Sequence, residues 1–408
     1  MRIAYLTQPY PPMVSGAAVV AEHLAKEMAN RGHDVLVIAA SDKEYAYTQI
    51  TGNLTVIRLR SINNPLRVGQ KILLLPRAAV LKALHDFQPD VIHTHEPVQM
   101  GALGLEYAKQ SHIPITMTAH QLPWFIASYL PHKFGIRNLV EAVLWKYTGW
   151  LIKKFSSVIS PTQTISRIIK NKTGTKPKTI SYGIGLQTFH PQLCADEETS
   201  TRKQFSLPLN VPLILHAGRL DTDKSVENVL LAAGAAIRES DAYLLVVGDG
   251  NQKRSLIQLC KLIGIESRVR FTGFISDKAE LAKIYRTSSL FVTASEIETQ
   301  GIAILEAAAC GLPIVAVKAT CIPEIVQHEV NGFITSPGDI ASMSKAILKI
   351  VGDPAKACEM KIKSRIIAEK FKSEITFSRH EKLYRQMSRQ KNSQLLTSEK
   401  PTKNTLFV

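Results

Sequence analysis

The sequence predicts an α/β protein with two domains, each built on a doubly wound parallel sheet. Short apolar segments of strand length alternate with longer segments of helical periodicity, an order typical of parallel sheets covered by helices. The alternation weakens between Ser181 and Asn210, where glycines, prolines and an acidic cluster predict a linker. With 408 residues, 45% of them apolar, the chain is long enough for two cores.

The elements follow one another in a regular order. After a first strand at residues 2–6, a loop ending in Ser15 and Gly16 leads into a helix from about Ala17 to Arg31, which Gly32 closes. Further strands of the first half are predicted at residues 34–39, 54–59, 89–93, 115–118 and 157–160. Strands of the second half are predicted at residues 213–217, 243–247, 269–271, 290–292 and 313–317. From residue 391 to 408 the chain is polar and lacks an apolar period, so we expect a disordered tail.

Composition excludes several classes of protein. The five cysteines are scattered, which argues against a disulfide framework or a zinc ribbon and favours the cytoplasm. The longest uncharged stretch, residues 110–132, contains three prolines, so we do not expect it to span a bilayer. The net charge is +16, and residues 107–195 contain many Lys and Arg but only one acid, Glu141. The positive electrostatic potential of such a surface attracts nucleic acid or an anionic membrane.

Two cations follow a predicted strand of the second half. Arg219 and Lys224 lie in the loop at residues 218–224, directly after the apolar run at residues 211–217. Open α/β sheets bind ligands at the carboxyl ends of their strands. Both cations are therefore candidates for an anion site, with solvated loop charges as the alternative.

Two carboxylates lie further along the same half. Glu298 and Glu306 bracket a stretch that starts as a loop and becomes an apolar helix. If the whole spacing were helical, the carboxylates would lie about 12 Å apart, too far to share a proton. Hydroxyl groups at opposite ends of one ligand fit this spacing better. Gly301 and Ile302 would offer backbone N–H groups to an anion at the helix start.

These residues resemble the retaining glycosyltransferases of family 4, whose signature is a Glu, seven residues and a second Glu, preceded by a Gly-Arg-Leu-x-x-x-Lys loop. The resemblance runs from Ile3 to about residue 385 and implies a GT-B fold, with two Rossmann-like domains facing a cleft. It implies an acceptor domain at residues 1–185, a donor domain at 186–371, and a last helix, about 372–390, that returns to the first domain. The tetrapeptide at residues 298–301 is most similar to the branch that glucosylates diacylglycerol.

The resemblance also implies roles for individual residues. Arg219 and Lys224 would stabilise the departing nucleoside diphosphate, while Glu298 and His120 would orient the transferred sugar. Glu306 would bind the ribose hydroxyls. The remaining donor-site candidates are Gly16, Gly218, Gly248, Gly301 and Ile302. Many members of the family have two adjacent glycines where this chain has Gly16 followed by Ala17.

Metal-binding alternatives exist for two motifs. Asp221 and Asp223 match an Asp-x-Asp pattern that holds a divalent ion in another glycosyltransferase fold, but they stand between the two cations. His93 and His95 could bind zinc, although no third ligand is evident in the sequence, and a position lining the cleft is favoured. We expect no metal site and no cofactor beyond the nucleotide-sugar substrate.

A basic, apolar segment at residues 134–155 has two interpretations. Its apolar residues recur at helical spacing, which fits a helix that faces the core. The alternative is an interfacial anchor at the membrane. The residues assigned to a membrane or acceptor surface are Trp124, Phe125, Lys133, Arg137, Trp145 and Trp150.

The predicted function is transfer of a hexose, glucose from UDP-glucose, to a lipid acceptor, 1,2-diacylglycerol, with retention of the anomeric configuration. The enzyme would be cytoplasmic and peripherally associated with the inner face of an anionic membrane. One rival is a GDP-mannose-dependent mannosyltransferase that acts on phosphatidylinositol or a soluble glycan. A rival of another class is a basic nucleic-acid-binding protein, for which the sequence contains no recognition motif.

Overall fold

The computed structural model describes residues 1–13, 15–64, 71–120, 122–124 and 136–398. Its strands, in chain order, are β1 (Arg2–Leu6), β2 (Asp34–Ala40), β3 (Tyr47–Thr51), β4 (Leu54–Leu59), β5 (Ser61–Asn63), β6 (Lys71–Leu73), β7 (Val91–Thr94), β8 (Ile115–Thr118), β9 (Ser157–Ser160), β10 (Lys178–Thr179), β11 (Leu213–Ala217), β12 (Tyr243–Val247), β13 (Val269–Gly273), β14 (Leu290–Thr293), β15 (Ile314–Val317) and β16 (Gly332–Thr335).

The α-helices alternate with these strands. They are α1 (Gly16–Asn30), α2 (Arg77–Phe87), α3 (Gln99–Gln110), α4 (Ile136–Ile152), α5 (Gln163–Thr173), α6 (Ala195–Gln204), α7 (Val226–Arg238), α8 (Lys253–Leu262), α9 (Lys278–Thr287), α10 (Ile302–Ala309), α11 (Ile340–Val351), α12 (Pro354–Glu369) and α13 (Ser373–Ser398). None of the helices in the described ranges is long and apolar enough to cross a membrane.

The chain forms two compact units. The first comprises residues 1–161, residues 166–180 and the chain from Phe377 to the end of the described residues; the second comprises residues 162–165 and 181–376. The expected boundary after residue 185 lies close to this division. The last helix, expected at about 372–390, is α13, and from Phe377 it belongs to the first unit.

The first unit contains an eight-stranded sheet in the order β10-β9-β8-β7-β1-β2-β4-β3. Its pairings are parallel except that of β3 with β4 at one edge. The apolar strand residues are buried because helices cover the sheet, which is why they appear in the sequence as nearly continuous apolar runs. Leu383, Tyr384 and Met387 of α13 pack into the same core as Ile3 and Tyr5 of β1.

The second unit contains a six-stranded parallel sheet in the order β13-β12-β11-β14-β15-β16. Strand β11 is buried at every position and lies between β12 and β14. From β11 the chain adds β12 and β13 on one side, and it then adds β14, β15 and β16 on the other side. In such sheets the carboxyl ends at the reversal point form the ligand-binding edge.

Two predictions about irregular segments need correction. The predicted linker at residues 181–210 contains helix α6, which the sequence pattern concealed because it is polar on most of its surface. Acids in its first turn and bases in its last turn stabilise it through the helix dipole. The tail expected to be disordered from residue 391 continues as helix α13 to Ser398, because an existing helix gains one hydrogen bond for each residue added.

Candidate active site

The loop after β11 carries both predicted cations. Gly218 donates its backbone N–H to the carbonyl of Val247 over 3.0 Å, and Leu220 donates to the carbonyl of Asp249 over 2.9 Å. These bonds hold the loop against the end of β12. A short 3-10 turn at Thr222–Lys224 then directs the chain into α7. Arg219 and Lys224 therefore lie at the carboxyl edge of the sheet, as the sequence predicted.

Arg219 is held by the two aspartates of its own loop. Its guanidinium donates to the Asp221 carboxylate and, over 2.7 Å, to Oδ2 of Asp223, whose side chain is 1% exposed. The Asp-x-Asp pattern thus serves to orient a cation. Across the described ranges, no group of three or more His, Cys, Asp or Glu side chains could hold a metal ion.

Lys224 and Glu298 meet in the structure. Lys224 Nζ donates to Glu298 Oε1 over 2.6 Å and lies 3.4 Å from Ser295 Oγ. Both charged side chains are only 18% exposed. The backbone N–H of Glu298 donates to Thr320 Oγ1 over 3.3 Å, which fixes the loop that follows β14.

The charges in this cluster are not balanced. Two cations, Arg219 and Lys224, contact three carboxylates, those of Asp221, Asp223 and Glu298. An anion that binds here must therefore compete with protein carboxylates for the same N–H groups. The same ion pairs hold each cation in a defined orientation before a ligand arrives.

Glu306 lies in the second turn of α10 and is half-buried. Tyr285 Oη donates to its Oε2 over 3.0 Å. Burial raises the pKa of the Glu306 carboxyl to about 7, although the bond from Tyr285 opposes this shift. Helix α10 begins only at Ile302, so Glu298 lies outside it and a purely helical spacing of the two glutamates does not apply.

Gln300 and Gly301 shape the start of α10. Gly301 has a φ of 79°, a left-handed conformation that strains any residue with a Cβ. Gln300 is fully buried; its Oε1 accepts the backbone N–H of Tyr182 over 2.6 Å, and its Nε2 donates to Ser181 Oγ over 2.7 Å. The sequence predicted no role for Gln300 itself, although it belongs to the tetrapeptide at residues 298–301 that resembles one branch of the family.

Gly248 permits a close approach of two backbones. A Cβ at this position would lie 1.8 Å from the carbonyl oxygen of Gly218, and its φ is 137°. Gly248 directly follows β12 and forms an isolated antiparallel bridge with Gly273. The absence of a side chain at Gly248 allows the loop of Arg219 to lie directly against the end of β12.

In the first unit, His120 follows β8 and Gly16 is the first residue of α1. The Ser15 hydroxyl caps α1 by accepting the backbone N–H of Ala18 over 3.0 Å. His120 is half-buried, and its Nε2 lies 2.8 Å from Nδ1 of His95. The expectation that His93 and His95 line a cleft is wrong for both side chains, which are 0% and 3% exposed.

The residues assigned to a membrane surface separate into different environments. Trp145 is buried and donates its Nε1 to Glu141 over 3.2 Å, so its expected place in a headgroup layer is wrong. Trp124 is half-buried, with its ring centroid 5.8 Å from that of Trp145. Arg137 is half-buried, whereas Trp150 is 57% exposed. Phe125 and Lys133 lie outside the described residues.

Comparison with solved structures identifies the fold. The sucrose-phosphate synthase of Thermosynechococcus elongatus superposes with a TM-score of 0.77 at 22% identity, covering 95% of this chain and 99% of that one. Two Rossmann-like units with parallel sheets are the GT-B fold of glycosyltransferases. The fold predicted from the sequence is confirmed.

Family models then identify the family. The model for "Glycosyltransferase Family 4" matches residues 14–187, and that for "Glycosyl transferases group 1" matches residues 197–366. The chain belongs to glycosyltransferase family 4 and is an enzyme that transfers sugars.

Curated relatives differ in sugar and acceptor. An alpha-monoglucosyldiacylglycerol synthase from Streptococcus pneumoniae is 28% identical over 319 residues, which cover 78% of this chain and 71% of the relative. An N-acetyl-alpha-D-glucosaminyl L-malate synthase from Bacillus anthracis is 26% identical over 387 residues, covering 91% and 94%.

Proposed function

We propose that this enzyme transfers glucose from UDP-glucose to 1,2-diacylglycerol, with retention of configuration, at an anionic membrane surface on the cytoplasmic side. The observation that carries the proposal is the contact of Lys224 with Glu298 at the carboxyl edge of the second sheet, beside Arg219. The proposed ligand for the diphosphate, Lys224, thereby lies next to the proposed ligand for the sugar, Glu298. A nucleotide-sugar donor needs both side by side, because its sugar is bonded directly to its diphosphate.

The cations act on the leaving group. As the bond between the anomeric carbon and the diphosphate oxygen breaks, that oxygen takes the electron pair and gains negative charge. Arg219 and Lys224, already oriented by carboxylates, stabilise this charge where it develops. The same diphosphate oxygen accepts the proton of the incoming acceptor hydroxyl, whose oxygen bonds to the anomeric carbon on the face that the diphosphate leaves.

The other predicted residues bind and orient the donor. Glu298 and His120 hold hydroxyl groups of the transferred sugar, and Glu306 accepts the ribose hydroxyls. The backbone can approach the donor closely at three glycines, which have no side chain: Gly218, Gly248 and Gly16. Gly301 and Ile302 direct N–H groups at the start of α10 towards its phosphates.

An exposed stripe on α4 supports a lipid acceptor. Its apolar residues, 42% to 66% exposed, recur every three or four positions and so share one face: Leu139, Val143, Tyr147 and Trp150. Lys154 Nζ lies 3.5 Å from the centroid of the Trp150 ring, at the end of this stripe. An apolar face next to basic side chains is the composition of a helix that lies in an anionic bilayer surface.

A panel of donors and acceptors tests the function. Purified enzyme is incubated with UDP-glucose, GDP-mannose or UDP-N-acetylglucosamine, and with diacylglycerol vesicles, phosphatidylinositol vesicles or L-malate. We expect product chiefly from UDP-glucose with diacylglycerol. Turnover of GDP-mannose with phosphatidylinositol instead would establish the rival mannosyltransferase. Because the cations replace a metal in this proposal, activity should persist in EDTA; loss that only a divalent ion restores would contradict that part.

The pKa of Glu306 predicts how donor affinity depends on pH. Hydroxyl donors favour the carboxylate, whereas burial favours the protonated acid with a pKa of about 7. Affinity for UDP-glucose should therefore weaken as the pH falls through 7, by up to about tenfold between pH 8 and pH 6. Calorimetric titration with UDP-glucose suits this test because its diphosphate has no ionisation in that range.

The matched variant is Glu306→Gln, which cannot ionise. It should bind UDP-glucose more weakly at pH 8 and show no corresponding dependence on pH. An equal dependence in both proteins would show that Glu306 is not the group that titrates.

The exposed stripe predicts membrane binding. Replacing Tyr147 and Trp150 together with alanine should lower partitioning onto vesicles that contain phosphatidylglycerol by at least about tenfold, because the apolar area of both rings no longer enters the bilayer. Sedimentation with vesicles measures this. Ile50→Ala, an exposed apolar residue of β3 in the same unit, is the control. Unchanged partitioning of the double variant would contradict the proposal. So would wild-type enzyme that binds duplex DNA as tightly as it binds anionic vesicles at physiological salt.

A further inference from the structure

Four histidines form a stacked cluster in the first unit. The ring centroids of His93 and His95 are 4.4 Å apart, those of His95 and His120 are 5.0 Å apart, and those of His93 and His380 are 5.8 Å apart, with interplanar angles below 30°. His93 belongs to β7 and His380 to α13, whereas His95 follows β7 and His120 follows β8. Only His120 has a role in the proposed reaction.

His93 forms the fixed base of the cluster. Tyr5 Oη donates to Tyr384 Oη over 3.3 Å, so the Tyr384 hydroxyl is available to donate to Nδ1 of His93 over 2.6 Å. Burial raises the pKa of both tyrosines, which keeps them protonated. With Nδ1 as the acceptor, Nε2 of neutral His93 carries the proton and donates to Thr118 Oγ1 over 2.7 Å.

His95 stacks on this base and contacts His120. Its Nδ1 lies 2.8 Å from Nε2 of His120, while its buried Nε2 has no hydrogen-bond partner among the described residues. Burial lowers the pKa of both rings, that of His120 to about 3, so both are neutral at physiological pH. In each ring one nitrogen carries a proton and the other is bare.

The energetic cost of the unpaired nitrogen decides between the two tautomers. A buried N–H without an acceptor is rarer and costlier than an acceptor with an unused lone pair. The bare nitrogen of His95 is therefore Nε2, and its Nδ1–H donates to Nε2 of His120. His120 must then carry its own proton on Nδ1.

We propose that His95 is a positioning residue that fixes His120 in the tautomer protonated on Nδ1, so that His120 presents a neutral N–H donor to a hydroxyl of the transferred sugar. This inference rests on the proposed function for its consequence in catalysis. The tautomer itself can be measured independently of activity.

Nuclear magnetic resonance tests the tautomer directly. Two-bond ¹H–¹⁵N correlation spectra of the full chain with ¹⁵N-labelled histidine rings distinguish a protonated nitrogen from a bare one. His120→Gln assigns the His120 signals, and His85→Gln, at the end of α2, serves as the control for an unrelated histidine. We expect a protonated Nδ1 and a bare Nε2 in His120. The opposite pattern, or rapid averaging of both nitrogens, would overturn the inference.

Kinetics test the consequence. His95→Phe keeps an aromatic ring on His93 but removes the N–H, and it should lower kcat/KM for the donor about tenfold, mainly through KM. His95→Asn places an amide N–H near the position of Nδ1 and should recover activity to within about threefold of the wild type. Equal activity of the Phe variant and the wild type, or no recovery in a folded Asn variant, would overturn the positioning role.

A third variant separates this inference from the proposed function. If His120→Ala retains full activity while the spectra show Nδ1 protonated, the assignment of His120 to the sugar fails and the tautomer stands. If His120→Ala loses activity while the spectra show Nε2 protonated, the function stands and the role of His95 fails.

Discussion

Replacing Lys224 with alanine is expected to reduce kcat by roughly 10³-fold, because one of two cations that face the departing diphosphate is removed. The ammonium also contacts Glu298 over 2.6 Å. Without it, a carboxylate that is 18% exposed is left without its ion-pair partner. The affinity for UDP-glucose should fall as well, since Glu298 would then repel the donor phosphates. Initial rates at saturating donor separate the two effects.

Lys253→Ala provides a matched control for this substitution. Lys253 lies in the same unit and forms an ion pair with Asp249 over 2.9 Å, but its side chain is more exposed and it has no assigned role. Its loss should change kcat less than about twofold. Lys224→Arg keeps the charge and should recover part of the activity. A Lys224→Ala enzyme with wild-type kcat would remove the basis of the proposed mechanism.

Gly248→Ala is expected to destabilise the second unit by about 4 kcal/mol. The new methyl group would lie 1.8 Å from the carbonyl oxygen of Gly218, and the backbone φ of 137° disfavours any side chain. The backbone of Gly218 cannot move away freely, because its N–H is bonded to Val247. Since Gly218 precedes Arg219, any relaxation displaces the cation, and we expect catalysis to be lost together with stability.

Thermal unfolding followed by calorimetry measures the effect. For a unit of this size, 4 kcal/mol corresponds to a fall in Tm of roughly 10 °C. Gly264→Ala is the control, since its φ of 69° is also positive but a Cβ there meets no atom within 4 Å. If both variants melt at the same temperature, the contact with Gly218 does not matter for stability.

Much of this architecture could be predicted because local patterns specify it. The strands that carry the site, β11, β12 and β14, are buried on both faces and appear in the sequence as apolar runs. Pro212 and Gly218 mark the two ends of β11, and Gly248 follows β12. Strand β3 was missed because it lies at a sheet edge with most residues exposed, so its sequence contains no apolar run.

Partners distant in the sequence could not be predicted in this way. The bond from Tyr285 to Glu306 joins two helices, and that from Tyr384 to His93 spans 291 positions. Helical spacing also could not show which side of α4 is buried, because Trp145 and Trp150 both belong to a segment that is apolar on several faces. Only the packing of α4 against the rest of the first unit shows that Trp145 is buried and Trp150 is exposed.

The return of α13 to the first unit has a consequence for synthesis on the ribosome. Leu383, Tyr384 and Met387 complete the core around Ile3 and Tyr5, yet they are translated after the whole second unit. A nascent chain therefore holds its earliest apolar strands incompletely covered while some two hundred further residues emerge and fold, the interval in which molecular chaperones protect such surfaces.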